Sequence, residues 1–210
     1  CEAGIHNYTA DNICALCGRA WEYTEGLEFE LNNDKTAYVV AGIGSVTATD
    51  IVIPYGYNGM MVTGIGEMAF GDCKELTGVI IPDSVTSIGE HAFYHCTGLT
   101  SIIIPDNVTS IDRGAFLNCA RLNSISIGNN LTYIDGDSFN YTGYYNNDDN
   151  WENGVLYIGK YLIQAKATLS GSYTIKDGTP FITNNAFMGC QGLTNVIIPD
   201  SVMNINNSAF

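Results

Sequence analysis

Apolar and polar residues along most of this chain follow a fixed order that returns every 23 residues. In the copy at 94–116, apolar Leu99, Ile102 and Ile104 form a strand-like run, a Pro-Asp turn follows, and the copy ends at Phe116. Equivalent copies end at Phe93, Phe139 and Phe210. A fixed period of this size indicates a solenoid, in which one supersecondary unit stacks on copies of itself.

The strand-like run of each copy has the spacing of a leucine-rich repeat strand, L-x-x-[IV]-x-[IVL]. Because side chains alternate along a strand, we expect Ile102 and Ile104 to point inward and Ser101 and Ile103 outward. The sequence therefore predicts a leucine-rich repeat solenoid, mainly β, with one parallel sheet of stacked 23-residue repeats joined by short turns or 3-10 helices. Stacking also predicts a buried aromatic column opposite that sheet, formed by Phe70, Phe93, Phe116, Phe139, Phe187 and Phe210.

The period breaks in two places that shape the domain organisation. Residues 140–187 are predicted to form one expanded double unit, with a polar loop and then a hairpin that turns at Gly159-Lys160. Residues 27–45 contain two apolar runs around a polar turn, which predicts a β-hairpin cap at the N-terminal end. We divide the chain into a Cys/His-containing segment, 1–23, and a repeat domain, 24–210. No equivalent cap follows Phe210, so we expect a trimmed piece of a longer protein.

Outward strand positions are the first candidate binding surface. These positions form two columns across the stacked repeats. The residues of one column are small, and those of the other are mostly β-branched and apolar. The candidate residues are Val52, Ile80, Ser101, Ile103, Ser124, Ser126, Thr174 and Ile197. An apolar stripe bordered by small residues suits a flat protein partner or an extended peptide. The alternative is strand propensity, because β-branched residues fit a pleated surface even when exposed.

The polar loop at 140–153 is the second candidate surface. Its Tyr144, Tyr145 and Trp151 would stack on a sugar or anchor a protein partner. The competing interpretation is a solvated surface loop without a ligand.

The N-terminal segment holds Cys1, His6, Cys14 and Cys17 in the pattern C-x4-H-x7-C-x2-C. Three thiolates and one imidazole can close a tetrahedral structural zinc site. Two alternatives remain: a disulfide between two of these cysteines in an exported protein, or a lipid-modified Cys1. No other cofactor is expected. The cysteines that recur in the repeat are expected to be small buried hydrophobes.

The charge composition argues against two classes of partner. Eight Lys and Arg stand against 22 Asp and Glu, for a net charge of −14, which argues against nucleic acid and anionic membranes. No run approaches the roughly 18 apolar residues of a membrane-spanning helix. No catalytic constellation is present in the sequence, so we expect a non-enzyme, and a monomer.

The repeat I-I-P-D-S-V-T-S-I-G-x-x-A-F, followed by C-x-x-L-T, resembles the BspA-type leucine-rich repeats of bacterial surface proteins. The resemblance covers about residues 27–210. It implies an extracellular or cell-surface location and a non-catalytic adhesion module that recognises protein or glycan ligands on host, matrix or neighbouring cells. The alternative is a structural spacer or an accessory domain of a larger surface enzyme.

Overall fold

The computed structural model describes residues 9–15 and 20–210. The first strands are β1 (Glu28–Leu31), β2 (Tyr38–Gly42), β3 (Asp50–Val52), β4 (Gly56–Tyr57), β5 (Met60–Ile65), β6 (Gly78–Ile80), β7 (Ser87–Ile88), β8 (Ser101–Ile104) and β9 (Ser110–Ile111). The others are β10 (Ser124–Ile127), β11 (Tyr133–Ile134), β12 (Trp151–Glu152), β13 (Val155–Ile158), β14 (Tyr161–Ala165), β15 (Ser170–Thr174), β16 (Phe181–Ile182), β17 (Gly192–Ile197) and β18 (Asn204–Ile205). One helical turn, α1 (Gly143–Asn146), and a 3-10 turn, Asp148–Asn150, complete the elements.

The predicted leucine-rich repeat solenoid is confirmed, and its predicted strands form what we call the front row: β3, β6, β8, β10, β15 and β17. They pair in parallel as β3 with β6, β8 with β10, and β15 with β17. The single predicted sheet needs correction, because the front row consists of three separate two-stranded ladders. The expanded unit lies between β10 and β15 in the chain. Just before β8, the backbone is linked to the preceding coil by a long hydrogen bond of 3.4 Å from Thr100 N to Thr77 O.

A second series of strands, which we call the back row, was not predicted. It comprises β2, β5, β7, β9 and β11, followed by β14, β16 and β18. Threonine hydroxyls support it from coil to coil: the Oγ1 atoms of Thr86 and Thr109 donate to the carbonyls of Thr63 and Thr86 at 3.0 and 3.1 Å. The predicted capping hairpin is present as β1 and β2, which pair antiparallel, and β2 continues the back row by pairing in parallel with β5.

Stacked aromatic rings fill the interior between the two rows. Phe93 lies 5.1 Å from both Phe70 and Phe116 between ring centroids, and Phe116 lies 5.3 Å from Phe139. All four are fully buried. The expectation for Phe210 is wrong, since its side chain is 59% exposed. It stacks on Phe187 at 5.1 Å through one face, and no described coil packs on the other face.

Each coil turns sharply around its phenylalanine through left-handed backbone. His91 and His95, two residues on either side of Phe93, have φ of 55° and 57°. Met68, with φ of 56°, is the counterpart of His91 in the coil that ends at Phe70. Non-glycine residues pay a conformational cost there. The two histidines therefore sit at turn positions.

The hairpin predicted to turn at Gly159-Lys160 is confirmed, with β13 and β14 antiparallel and Ile158 opposite Tyr161. Both of its faces are apolar and largely buried. Leu156 and Ile158 belong to the core of the preceding coils, while Val155 and Tyr157 belong to a second core. The hairpin is therefore an internal wall between two hydrophobic cores.

The repeat cysteines are structural. Cys96 and Cys119 are fully buried, and their thiols donate to the carbonyls of Phe70 and Phe93 at 2.9 and 3.0 Å. Burial, followed by the nearby Cys96 and Asp72, raises the pKa of Cys73 to about 11. A thiol with so high a pKa is a poor nucleophile at neutral pH. Cys96 and Cys119 therefore agree with the expectation of small buried hydrophobes, whereas Cys73 and Cys190 are only half-buried.

Candidate functional site

The outward side chains of the first front-row strands form an exposed aliphatic patch. Ile80 and Ile103 are 54% and 70% exposed, and Val52 is half-buried directly opposite Ile80 in the ladder. Together with Ser101 they line a concavity of about 450 Å³. We call this group, Val52, Ile80, Ser101 and Ile103, the front patch.

The remaining predicted front residues extend the same surface but do not line the concavity. Ser124 and Ser126 are exposed and lie opposite Ser101 and Ile103 in the β8–β10 ladder. Thr174 and Ile197 lie opposite each other in a separate ladder, and Ile197 is 51% exposed. Half of the predicted front residues therefore meet at one site.

Carboxylates border the front patch, and among them Asp50 lines the concavity. Asp50 shares the outward face of β3 with Val52, and its Oδ1 accepts a hydrogen bond from Thr77 Oγ1 at 2.9 Å. Gly78 lies opposite Asp50, and a Cβ atom there would stand 2.6 Å from Asp50 Oδ1. A glycine at 78 therefore leaves room for the carboxylate.

Two further exposed carboxylates, Asp83 and Asp106, follow Pro82 and Pro105 at the far end of the same strands. Asp106 is held in place because its Oδ1 accepts from Asn129 N at 2.7 Å. The recurring Pro-Asp dipeptide was the signal that could have identified this border.

The aromatic residues predicted as ligand-binding in the loop are half-buried and make structural contacts, and Tyr145 and Trp151 also line a concavity of about 510 Å³. Tyr144 Oη donates to the Tyr157 carbonyl at 3.0 Å, and Trp151 Nε1 donates to the Tyr145 carbonyl at 2.7 Å. Lys166 Nζ lies 5.0 Å from the Trp151 ring centroid. Burial raises the pKa of Tyr144 and of Tyr145. These three aromatics anchor the loop, and their role in binding a ligand stays a prediction.

An ion pair closes the outer side of this loop. Lys166 Nζ lies 2.6 Å from Asp148 Oδ1, and this hydrogen bond and charge hold the pKa of Asp148 below its usual value.

Thr142, fully buried, accepts a hydrogen bond from Tyr145 N through Oγ1 and so caps α1. It follows Cys119 by one period and replaces the cysteine of that column.

The proposed zinc ligands Cys1, His6 and Cys17 lie outside the described residues. Cys14 is described and is buried. In residues 9–15 and 20–210, no group of three or more His, Cys, Asp or Glu side chains is arranged to hold a metal ion. The structural zinc stays a prediction.

The coil architecture defines the chain as a leucine-rich repeat protein. It belongs to the BspA-type leucine-rich repeat family, whose repeat region matches residues 45–170 and 156–210 in six copies. No curated protein matches the chain. Within the described part of the chain, no helix has the length and apolar character needed to cross a membrane.

Solved structures agree with this assignment. A leucine-rich cell surface protein from Faecalibacterium prausnitzii A2-165 is 30% identical, with a TM-score of 0.56, over 91% of this chain and 46% of that one. A leucine-rich repeat protein from Bacteroides ovatus ATCC 8483 is 26% identical, with a TM-score of 0.56, over 88% and 43%. A third, from Bacteroides capillosus ATCC 29799, is 29% identical, with a TM-score of 0.52, over 60% and 96%. The chain thus spans less than half the length of the first two.

Proposed function

We propose that this chain is a non-catalytic protein-binding module that works at the cell surface through its front patch. The observation that carries the proposal is the pair Ile80 and Ile103, 54% and 70% exposed beside a concavity of about 450 Å³. Neither side chain supports the core, because each alternates with an inward residue. Large aliphatic residues displayed together on a regular surface are typical of a protein–protein interface.

The location is proposed from the family and from the Faecalibacterium relative, which is described as a cell surface protein. A surface module of this kind would recognise protein or glycan ligands on host, matrix or neighbouring cells. The front patch favours the protein class, because its lining is largely aliphatic and lacks an exposed aromatic platform for sugar.

A structural spacer, or an accessory domain of a larger surface enzyme, is the second candidate. It is favoured by the regular coil-to-coil stacking of Phe70, Phe93, Phe116 and Phe139, which suits a stiff rod. A spacer would need no exposed isoleucine on its sheet.

The test is a double change, Ile80→Ser with Ile103→Ser, assayed for adhesion to immobilised extracellular-matrix proteins and glycans. Hot-spot truncation predicts a loss of affinity of about 10-fold or more. The matched control is Met188→Ser with Met203→Ser, which removes two side chains that are 64% and 85% exposed away from the front row. Circular dichroism verifies that both variants fold. Full adhesion by the folded isoleucine variant would contradict the proposal and favour the loop at 140–153 as the binding site, whereas no adhesion by the parent protein would favour the spacer.

A further inference from the structure

We infer that the polypeptide docking on the front patch carries basic side chains on either side of an aliphatic centre. This inference rests on the proposed function and adds the chemistry of the partner. Its basis is the arrangement of charge around the patch, which has carboxylates at both ends of the strands and aliphatic side chains between them.

Along β6 and β8 the outward order is small, then aliphatic, then acidic, whereas β3 begins with the acidic Asp50 and is followed by Pro54-Tyr55. Asp50 and Val52 are two residues apart on the outward face of β3, about 7 Å along the strand. Beyond the aliphatic residues, Asp83 and Asp106 stand exposed in the turns that follow Ile80 and Ile103. A partner segment that crosses the patch from the start of β3 to the ends of β6 and β8 would therefore meet a carboxylate, then the aliphatic concavity, then carboxylates again.

Two of these carboxylates are oriented before a partner arrives. Asp50 is fixed through Oδ1 by Thr77 Oγ1 at 2.9 Å, and Asp106 through Oδ1 by Asn129 N at 2.7 Å. Each of these hydrogen bonds is accepted by one oxygen, Oδ1, of its carboxylate. Preorganised acceptors reduce the ordering cost that a partner's ammonium or guanidinium group would otherwise meet on binding.

In the part of the chain that the structure describes, no lysine or arginine forms an ion pair with Asp50, Asp83 or Asp106. Lys160 ends near Asn129, but its Nζ donates to the Asn129 carbonyl at 2.8 Å. None of its lysines or arginines lies in β3, β6, β8 or β10. The ion pairs of Lys or Arg in residues 9–15 and 20–210 join Lys166 to Asp148 and Lys176 to Glu152, both in or after the expanded unit. The carboxylates bordering the patch thus remain available to an incoming base, and the net charge of −14 would speed its approach.

The test uses three labelled heptapeptides: KKIVIKK, its acidic counterpart EEIVIEE, and its polar counterpart KKSGSKK. Fluorescence anisotropy is read at about 50 mM and about 500 mM NaCl, which span weak and strong screening. We expect KKIVIKK to bind in preference to both counterparts, and its affinity to fall several-fold at the higher salt.

The border is tested with Asp50→Asn, Asp83→Asn and Asp106→Asn combined, because asparagine keeps the Oδ1 acceptor used by Thr77 and Asn129. We expect KKIVIKK to bind about 10-fold more weakly, from three exposed ion pairs of modest strength each. The matched control combines Asp34→Asn, Glu67→Gln and Asp149→Asn, which remove the same charge elsewhere and should leave affinity nearly unchanged.

Binding of EEIVIEE or KKSGSKK as tight as that of KKIVIKK, an equal loss in the control triple, or no binding of KKIVIKK would each overturn the inference. The proposed function is judged separately by the Ile80→Ser and Ile103→Ser variant. If that variant loses matrix adhesion while the peptides show no charge preference, the patch binds protein but its partner is not basic.

Discussion

The side chain of Asn12 and the backbone of Gly56 hydrogen-bond to each other in both directions. Asn12 Nδ2 donates to the Gly56 carbonyl at 2.9 Å, and Gly56 N donates to Asn12 Oδ1 at 3.0 Å. A Cβ atom at 56 would overlap the Ala10 carbonyl oxygen, so the close approach depends on glycine. This reciprocal pair fastens residues 9–15 to the first coil.

We expect Asn12→Ala to destabilise the docked segment, because the Gly56 N–H and carbonyl lose their side-chain partners in a buried place. Leaving buried polar groups unsatisfied costs about 1–3 kcal/mol. Hydrogen exchange at the Gly56 amide measures the effect directly. Exposed Asn33→Ala is the control, and unchanged protection at Gly56 in Asn12→Ala would refute the assignment.

Phe116→Ala is expected to lower the free energy of unfolding by about 3–5 kcal/mol, because it opens a cavity between two stacked rings. Phe210→Ala removes the same ring at a site that is 59% exposed and should cost about 1 kcal/mol or less. Urea titration followed by circular dichroism compares the two. Equal losses would mean that the aromatic column does not carry the core.

Met68 tests the left-handed turn that precedes Phe70 and recurs at His91 before Phe93. Its φ is 56°, a conformation that costs a residue with Cβ about 1–2 kcal/mol. Met68→Gly should therefore be more stable than Met68→Ala by about 1 kcal/mol. The alanine variant is the matched control, since both lose the same side chain beyond Cβ. Thermal unfolding compares the melting temperatures of the two variants. A more stable alanine variant would rule out the left-handed backbone at residue 68.

Asp112 should make stability depend on pH. Burial, then Asp135 and Glu90, raises the pKa of Asp112 above its usual value. The folded state therefore binds this proton more tightly than the unfolded state, so the contribution of Asp112 is most favourable below its unfolded pKa and is lost as pH rises through its folded pKa.

Asp112→Asn removes that cost and should raise the melting temperature at pH 7, with a gain that shrinks as the pH falls toward 4. Exposed Asp149→Asn is the control and should show a smaller change. A melting temperature that falls at pH 7 in Asp112→Asn would instead indicate that the charged carboxylate stabilises the fold.

The 23-residue period predicted the parts of the fold that recur, such as inward Ile104 and buried Phe116. It missed the back row because strands such as Ser87–Ile88 contain two residues, too few to show alternation. Ile198 occupies the repeat position equivalent to inward Ile104, yet it is 40% exposed, because burial there requires a neighbouring coil on each side.

The candidate site, like the fold, could be predicted where it follows the repeat and not where it depends on irregular segments. The repeat brought Val52, Ile80 and Ile103 together, because equivalent positions of adjacent coils become neighbours in space. The anchoring of Trp151 by Lys166 depends on how an irregular loop folds back on β14, and no local pattern encodes that. The sequence pattern likewise predicted the hairpin of the expanded unit. It did not predict that the hairpin lies between two cores, because that depends on contacts with distant coils.

The internal wall formed by β13 and β14 has a consequence for how the sequence specifies its own pairing. A strand with one apolar face cannot slip by one residue without exposing that face. In this hairpin both faces are apolar, so a slip would merely exchange one core for the other, and hydrophobicity alone does not oppose it. Directional polar contacts oppose such a slip, and Tyr161 makes two of them: its hydroxyl donates to the Gly128 carbonyl at 3.0 Å and accepts from Leu131 N at 3.2 Å. On the other face the Tyr157 hydroxyl accepts from Lys176 N at 3.3 Å and lies 3.2 Å from Tyr173 Oη. The alignment of the wall thus depends on phenolic oxygens that are fixed in both cores.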